Sequence, residues 1–198
     1  VDVTNYINHA FGQPLHAFDV TAIAGDEVVV RTTSKGTKFT TLDDVERSLD
    51  DQDLMICNAK EPMCVAGVFG GAKSGVSTTT TSVFLESAYF NPVWVRKTAK
   101  RHAIHSDASF RFERGIDPNI TAYAAKLAAQ MIAELGSGYI SSELSDSNPE
   151  VVADFDVTYR VDKANAFIGH PIPEQDIQTI LEGLDISVAE KKAANWTL

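Results

Sequence analysis

Cysteine is scarce in this sequence, which has two, Cys57 and Cys64, among 198 residues. Two cysteines are too few for a disulfide framework, and they are typical of a protein kept in a reducing compartment. Long apolar runs are also lacking: no stretch approaches the roughly 20 residues of a membrane helix, which excludes a spanning segment. The chain begins at Val1 without a methionine or a basic leader. We therefore expect a piece of a longer cytoplasmic protein.

Basic residues are outnumbered, 17 against 27 acidic ones, and the formal net charge is -10. The shortage holds for residues 1–91 and 119–198, but residues 92–118 carry six basic side chains against three acidic ones. Four of the six form a basic stripe on a predicted helix: Arg96, Lys97, Lys100 and Arg101. Such a stripe can bind a polyanion, although the solvated face of a helix explains the same pattern.

Apolar periodicity and capping residues predict five helices. Asn91-Pro92 and Asp117-Pro118 are typical helix starts, because Asn and Asp cap the free N–H groups and proline suits the first helical position. Gly12 ends the first helix. The predicted helices are Thr4–Phe11, Pro92–His102, Pro118–Leu135, Asp162–Ile168 and Glu174–Leu184.

Short apolar or alternating segments predict strands between these helices. They are Val28–Val30, Phe39–Leu42, Asp53–Cys57, Cys64–Phe69, Ser82–Leu85 and Ala108–Phe112. Pro14 disfavours helix at Gln13, so we interpret Gly12–His16 as an irregular loop. Residues 141–156 are polar and acidic, with Pro149, and are interpreted as a linker. The uneven mixture of helices and short strands indicates an α+β fold.

The glycine-rich segment Val65–Ser77 resembles a phosphate loop only at first sight. That pattern needs glycine at position 72, where this chain has Ala72. We favour a tight turn between strands, in which Gly70 and Gly71 expose backbone N–H groups to a small ligand.

Metal binding and serine catalysis find little support. The pairs Cys57/Cys64 and His102/His105 lack the spacing of zinc ligands, so no metal site is predicted. Ser106 has no nucleophile elbow around it, so it is not assigned as a nucleophile. We interpret three histidines as surface or capping residues: His9, His102 and His170.

Glu86 follows the apolar run Val83–Leu85, so its neighbours are expected to be buried. A carboxylate in such surroundings either pairs within the core or lines a pocket. His16, between Leu15 and Phe18, leaves the same two alternatives.

Five longer strings, in this order, closely resemble the β subunit of bacterial phenylalanyl-tRNA synthetases. They are VDVTNY (1–6), GQPLHAFD (12–19), GVFGG (67–71), LESAYF (85–90) and SDASFRFERGIDP (106–118). The string IGHPI (168–172) with Ile180-Leu181 is similar to the start of the B5 domain. The resemblance implies a B3/B4 editing domain (1–140), the linker (141–156) and a truncated start of B5 (157–198). It also implies short mixed strands in a sandwich-like core flanked by helices, then a small helical segment.

The resemblance implies residue roles as well. In this family the B3/B4 module hydrolyses tyrosine wrongly esterified to the phenylalanine tRNA. Glu86 matches the glutamate that accepts a hydrogen bond from the tyrosine hydroxyl, and the backbone of Gly70 assists it. His16 and Asn5 are expected to position the ester and a water. The other substrate-binding residues implied are Thr4, Ala108 and Ser106, where serine replaces the usual threonine. The basic stripe is expected to bind the acceptor end of the tRNA.

The parent enzyme implied is a cytoplasmic phenylalanine-tRNA ligase of two α and two β subunits. ATP and magnesium belong mainly to its α subunit, and no cofactor is expected in this fragment. The alternative is a non-catalytic tRNA-binding or scaffold module with an inactive pocket. A freestanding editing protein is disfavoured by the B5-like tail.

Overall fold

The computed structural model describes residues 1–147 and 152–198. These residues form two compact units, divided between positions 150 and 151. Positions 148–151 of the predicted linker, including Pro149, lie outside the described residues, and its other positions contain neither helix nor strand. In the part described, no helix is both long and apolar enough to cross a membrane. The predicted α+β class is confirmed by six helices and several antiparallel sheets.

The first unit combines four helices with eight short strands. Its helices are α1 (Asp2–Phe11), α2 (Pro92–His102), α3 (Asp107–Phe112) and α4 (Thr121–Leu135). Its strands are β1 (Leu15–Asp19), β2 (Val29–Thr32), β3 (Lys38–Thr40), β4 (Glu46–Ser48), β5 (Leu54–Cys57), β6 (Pro62–Val65), β7 (Phe69–Gly70) and β8 (Val83–Ser87). They form a four-stranded sheet of order β2-β5-β6-β7 and two pairs, β1–β8 and β3–β4, all antiparallel.

The main apolar core joins the four-stranded sheet to α2 and α3. Met55 and Val65 from the sheet, Val95 and Ala99 from α2, and Phe112 from α3 all belong to it and are buried. Burial of this apolar surface is the main favourable contribution to folding. The core therefore fixes α3 beside the turn that connects β6 and β7.

The β1–β8 pair separates an apolar face from a polar one. Successive residues of a strand point to opposite faces. Leu15 and Leu85 pack against a smaller cluster formed by α1 and α4. Their neighbours His16 and Glu86 are opposite each other in the register and lie on the other face. Because α1 and α4 pack on one face of the β1–β8 pair, the side chains of His16 and Glu86 point away from these helices.

Several predicted elements need correction. Ala108–Phe112 is helical, not a strand, because Ser106 and Ser109 form a capping box that starts α3. Cys64–Phe69 is not one strand, since the chain turns at 66–68 with Gly67 at a φ of 67°. His16 lies on β1 rather than in a loop. The predicted strand Ser82–Leu85 continues to Ser87, which puts Glu86 within it.

The second unit contains a sheet that sequence reasoning missed. Its elements are β9 (Thr158–Arg160), α5 (Val161–Ile168), α6 (Glu174–Glu182), β10 (Glu190–Lys192) and β11 (Asn195–Thr197). The strands pair antiparallel in the order β10-β11-β9, and Trp196 is buried with Val161 and Ile177. The two predicted helices are present, but the prediction of a small helical segment omitted this sheet. Strands of three residues are too short to show an alternating pattern.

Candidate functional site

A cavity of about 260 Å³ lies in the first unit among α1, β1, β8, the β6–β7 turn and the start of α3. It is lined by all seven residues predicted to contact the substrate: Thr4, Asn5, His16, Gly70, Glu86, Ser106 and Ala108. These residues are far apart in sequence and come from separate elements. The fold therefore brings the predicted substrate residues to one place.

His16 and Glu86 are both uncharged near neutral pH. Burial alone lowers the pKa of His16 from 6.5 to about 4. Burial also raises the pKa of Glu86 from 4.5 to about 8. Removal from water disfavours the charged form of each group, which explains the opposite directions. Glu86 therefore lines the cavity mainly as a neutral acid rather than as part of a core ion pair.

The imidazole of His16 has an unused hydrogen-bonding atom. Its Nε2 is buried and has no partner among the described residues. The ring packs edge-on against Phe18, with 4.4 Å between ring centroids. Buried polar atoms are normally paired, so an unpaired one at a cavity is a natural contact for a ligand or a water.

Gly70 leaves the space that the His16 ring needs. A Cβ atom at position 70 would lie 2.9 Å from His16 Cε1 and 2.7 Å from Leu42 Cδ1, closer than such atoms approach. The prediction that Gly70 and Gly71 form the turn and expose their N–H groups is wrong in part. The turn lies at 66–68, and the Gly71 N–H donates to the Met63 carbonyl at 3.0 Å.

Ser106 is at the cavity, but its hydroxyl is committed to the fold. It donates to the Val68 carbonyl at 2.6 Å and accepts from the Ser109 N–H at 3.0 Å. The side chain thus starts α3 and ties it to the β6–β7 turn. Its role in the site is to place Ala108 and the turn, with its own donor already used.

Thr4 and Asn5 approach the cavity from α1. The Thr4 hydroxyl donates to the Val1 carbonyl at 2.7 Å, so it too stabilises a helix start. Asn5 is exposed, and its carboxamide has no hydrogen bond within the described residues. Of the two, Asn5 is the side chain free to contact a bound group.

Among the residues that the structure describes, no activated nucleophile lies at the cavity. Cys64 lines it, but burial and the nearby Glu86 raise the pKa of its thiol well above the usual value. A protonated thiol is a poor nucleophile. Across residues 1–147 and 152–198, no group of three or more metal-binding side chains is placed to hold an ion.

The basic stripe is divided by a buried carboxylate. Arg101 forms an ion pair with Asp53, which is fully buried, and lies 3.8 Å from Asp50. Arg96, Lys97 and Lys100 stay exposed on α2. Arg101 therefore joins α2 to the start of β5. Of the three cations of the stripe that stay exposed, Arg96 donates to the Glu113 carbonyl.

His102 is not a surface or capping residue as predicted. Its ring Nε2 lies 2.6 Å from Asp53 Oδ2, and its side chain is 6% exposed. His9 is exposed and contacts Arg111, and His170 is exposed as well. A single histidine within a helix carries no sequence signal that distinguishes a buried partner from a solvated one.

Among the cavity residues that sequence reasoning did not assign to the site are Asn8 and Leu42. Asn8 follows Asn5 by three positions in α1, a spacing that puts both side chains on neighbouring parts of one helix face. The sequence signal that could have identified Asn8 is its position beside the core residue Ile7. Leu42 comes from the turn between β3 and β4, which no local pattern connects with the other residues.

A sequence model of the B3/4 domain matches residues 1–137 of the chain. The chain belongs to the B3/4 domain family. It is 56% identical over 198 residues to the phenylalanine–tRNA ligase beta subunit of Bacteroides fragilis and 47% identical over 199 residues to that of Porphyromonas gingivalis. Each alignment covers 100% of this chain and 24% of the relative, so the chain spans about a quarter of the curated relatives. The resemblance seen in the sequence strings is confirmed.

A solved structure is also similar to this B3/4 chain. It is an N-terminal fragment of the phenylalanyl-tRNA synthetase beta subunit from Pyrococcus horikoshii. The match covers 98% of this chain and 57% of that one, at 14% identity and a TM-score of 0.42.

Proposed function

We propose that this B3/4 domain hydrolyses tyrosine wrongly esterified to the phenylalanine tRNA. The observation that carries the proposal is the pairing of Glu86 with His16 across β1 and β8, both facing one cavity and both uncharged near neutral pH. Glu86 would bind the phenol hydroxyl, and His16 would lie toward the ester.

The discrimination that editing requires follows from hydrogen bonding rather than size. Phenylalanine is smaller than tyrosine, so a slot that admits tyrosine cannot exclude it sterically. A buried acid placed for a phenol hydroxyl is left without its partner when phenylalanine binds. Sites built to bind a hydroxyl reject the analogue that lacks it by several orders of magnitude. Glu86 thus favours the wrong product and spares the correct one.

The hydrolysis needs positioning more than a strong base. A water oxygen attacks the ester carbonyl carbon, the bond to the ribose oxygen breaks, and that oxygen leaves with a proton from the water. With a pKa of about 4, His16 is a weak base, and its role is to hold the water or the carbonyl through Nε2. Asn5 would hold the other side of the ester. No covalent intermediate is required.

The partners belong to the same proposal. The domain would act within the β subunit of a cytoplasmic phenylalanine-tRNA ligase, beside an α subunit that uses ATP and magnesium. The exposed cations Arg96, Lys97 and Lys100 would bind phosphates of the tRNA acceptor end. The two free cysteines are buried, which suits a reducing compartment.

The experiment that tests this function is deacylation of phenylalanine tRNA carrying either tyrosine or phenylalanine. In the parent enzyme, we expect faster release of tyrosine, and slower release after Glu86→Ala or His16→Ala. Lys73→Ala, an exposed residue outside the cavity, is the control. Release at equal rates from both tRNAs would instead favour a scaffold or tRNA-presenting module.

A further inference from the structure

Five buried side-chain atoms lack a hydrogen-bond partner in the described part of the chain. They are Asn8 Oδ1, Gln13 Oε1, His16 Nε2, Thr33 Oγ1 and Trp196 Nε1. Two of these residues, Asn8 and His16, line the cavity. Leaving a buried polar atom unpaired costs free energy, and such atoms are uncommon in folded proteins. Two of them at one cavity indicate that a ligand completes their hydrogen bonding.

Asn8 differs from the other unpaired amide. Gln13 is fully buried, but its Nε2 donates to the carbonyls of Pro14 and Ala88, which explains its burial by a structural role. Asn8 is 6% exposed, and its carboxamide makes no hydrogen bond to any described residue. Packing alone would be better served by an apolar side chain at this position. The amide therefore needs another explanation.

The proposed substrate has one polar group that no residue yet contacts. Glu86 is assigned to the phenol and His16 to the ester, but the α-ammonium group remains. An ammonium has only donors, so it needs an acceptor when it leaves water. Apart from Glu86, two acceptors that line the described cavity, Asn5 and Asp107, are exposed to water. His16 Nε2 is already assigned to the ester, so the buried side-chain acceptor that remains unpaired is Asn8 Oδ1. Its neutral oxygen can accept without placing a second carboxylate beside Glu86.

We propose that Asn8 is a specificity-determining residue that accepts a hydrogen bond from the free α-ammonium group of the bound aminoacyl ester. The inference rests on the proposed function and adds to it a substrate class. The cavity would take esters of amino acids with a free amino group and reject N-acylated ones. An N-acyl group removes the positive charge and two of the donors and adds bulk at Asn8.

The test compares L-tyrosine methyl ester with its N-acetyl derivative, titrated into the 198-residue chain and followed by NMR. The work is done at about pH 6.5, where the α-amino group is largely charged. We expect the free amine to bind about tenfold more tightly or better, as one hydrogen bond to a charged group allows. Asn8→Leu should abolish that preference, and Asn8→Asp, which keeps an acceptor, should retain it.

A thermal unfolding curve separates loss of contact from loss of fold. Asn8→Leu should unfold at the same or a higher temperature, because it removes an unpaired polar group from the interior. An unchanged preference for the free amine in Asn8→Leu would overturn the inference. The phenylalanine methyl ester, measured in the same series, tests the proposed function separately: equal binding of it and the tyrosine ester would overturn that function. Binding of neither ester would overturn both.

Discussion

Glu86 and His16 shift their pKa values in opposite directions because one is an acid and the other a base in the same dry surroundings. The pKa of Glu86 rises to about 8 and that of His16 falls to about 4. Both residues thus face the cavity without charge, which suits the recognition of a neutral phenol and a neutral ester.

The Glu86 shift makes stability depend on pH. The folded protein keeps the Glu86 proton from about pH 4.5 to about pH 8, where the unfolded chain has lost it, so stability falls as pH rises through that range. His16 acts oppositely from about pH 4 to about pH 6.5, where stability rises with pH. Relative to the wild type, the free energy of unfolding of Glu86→Gln should therefore rise by about 5 kcal/mol between pH 4.5 and pH 8.

Denaturant unfolding at a series of pH values measures this difference. His16→Gln is the matched control, since it removes only the compensating slope below about pH 6.5. If the free energies of unfolding of Glu86→Gln and the wild type change in parallel from about pH 4.5 to about pH 8, Glu86 is not desolvated in the folded protein.

The role of Gly70 can be tested by adding a single carbon atom, the Cβ of alanine. Gly70→Ala would push against the His16 ring and Leu42, so we expect tyrosine affinity to fall about tenfold or more. Gly75→Ala is the control, because a Cβ there meets Leu42 at an ordinary 3.5 Å. NMR titration with tyrosine measures both, and an equal effect of the two substitutions would contradict this account.

Among the elements, those with strong local signals were predicted well. Asn91 and Pro92 start α2 and Gly12 ends α1 as expected, because capping depends on adjacent residues. The prediction of a strand at Ala108–Phe112 was wrong. The alternation of Phe110 and Phe112 suggested a strand, but the Ser106 cap starts a helix there. Tertiary contacts from Val68 support that cap, and a local pattern cannot show them.

The site shows the same limit. The resemblance implied Glu86 and His16, but their pairing across β1 and β8 depends on a register between segments about 70 positions apart. Asn8 was missed because burial of a polar side chain is a property of the packed fold. The Asp53 ion pair with Arg101 was missed for the same reason.

Among the elements, α3 is the one whose contribution to stability is most easily measured, through its N-cap residue Ser106. Ser106→Ala loses the bond from Ser109 and the bond to Val68, so the free energy of unfolding should fall by about 1–2 kcal/mol. Ser106→Thr keeps the hydroxyl and should lose less. Denaturant unfolding gives the comparison, and equal losses would show that the hydroxyl does not stabilise α3.

For the whole molecule, charge is unevenly distributed, and the proposed tRNA contact depends on a few exposed cations in a chain of net charge -10. Lys97 and Lys100 are exposed, whereas Arg101 neutralises the buried Asp53. Within the stripe on α2, Arg101 thus stabilises the fold, whereas the exposed lysines belong to the proposed tRNA contact.

Substitution of these residues should have distinct effects. Arg101→Ala leaves a buried carboxylate short of its partner and should cost about 3 kcal/mol of stability. Lys97→Glu with Lys100→Glu should change stability by less than about 0.5 kcal/mol each and weaken tRNA binding, with a shallower salt dependence. Denaturant unfolding and tRNA binding at several salt concentrations measure these effects. Unchanged tRNA affinity in the double variant would leave the stripe as a solvated helix face.

The central claim is that the cavity distinguishes tyrosine from phenylalanine through Glu86. The most direct measurement is NMR titration of the 198-residue chain with each amino acid, beside Glu86→Ala and Glu86→Gln. We predict that tyrosine binds about tenfold more tightly or better, that Ala abolishes this preference, and that Gln, which keeps an acceptor oxygen, retains part of it. Equal affinities for tyrosine and phenylalanine in the folded wild-type chain would contradict the account.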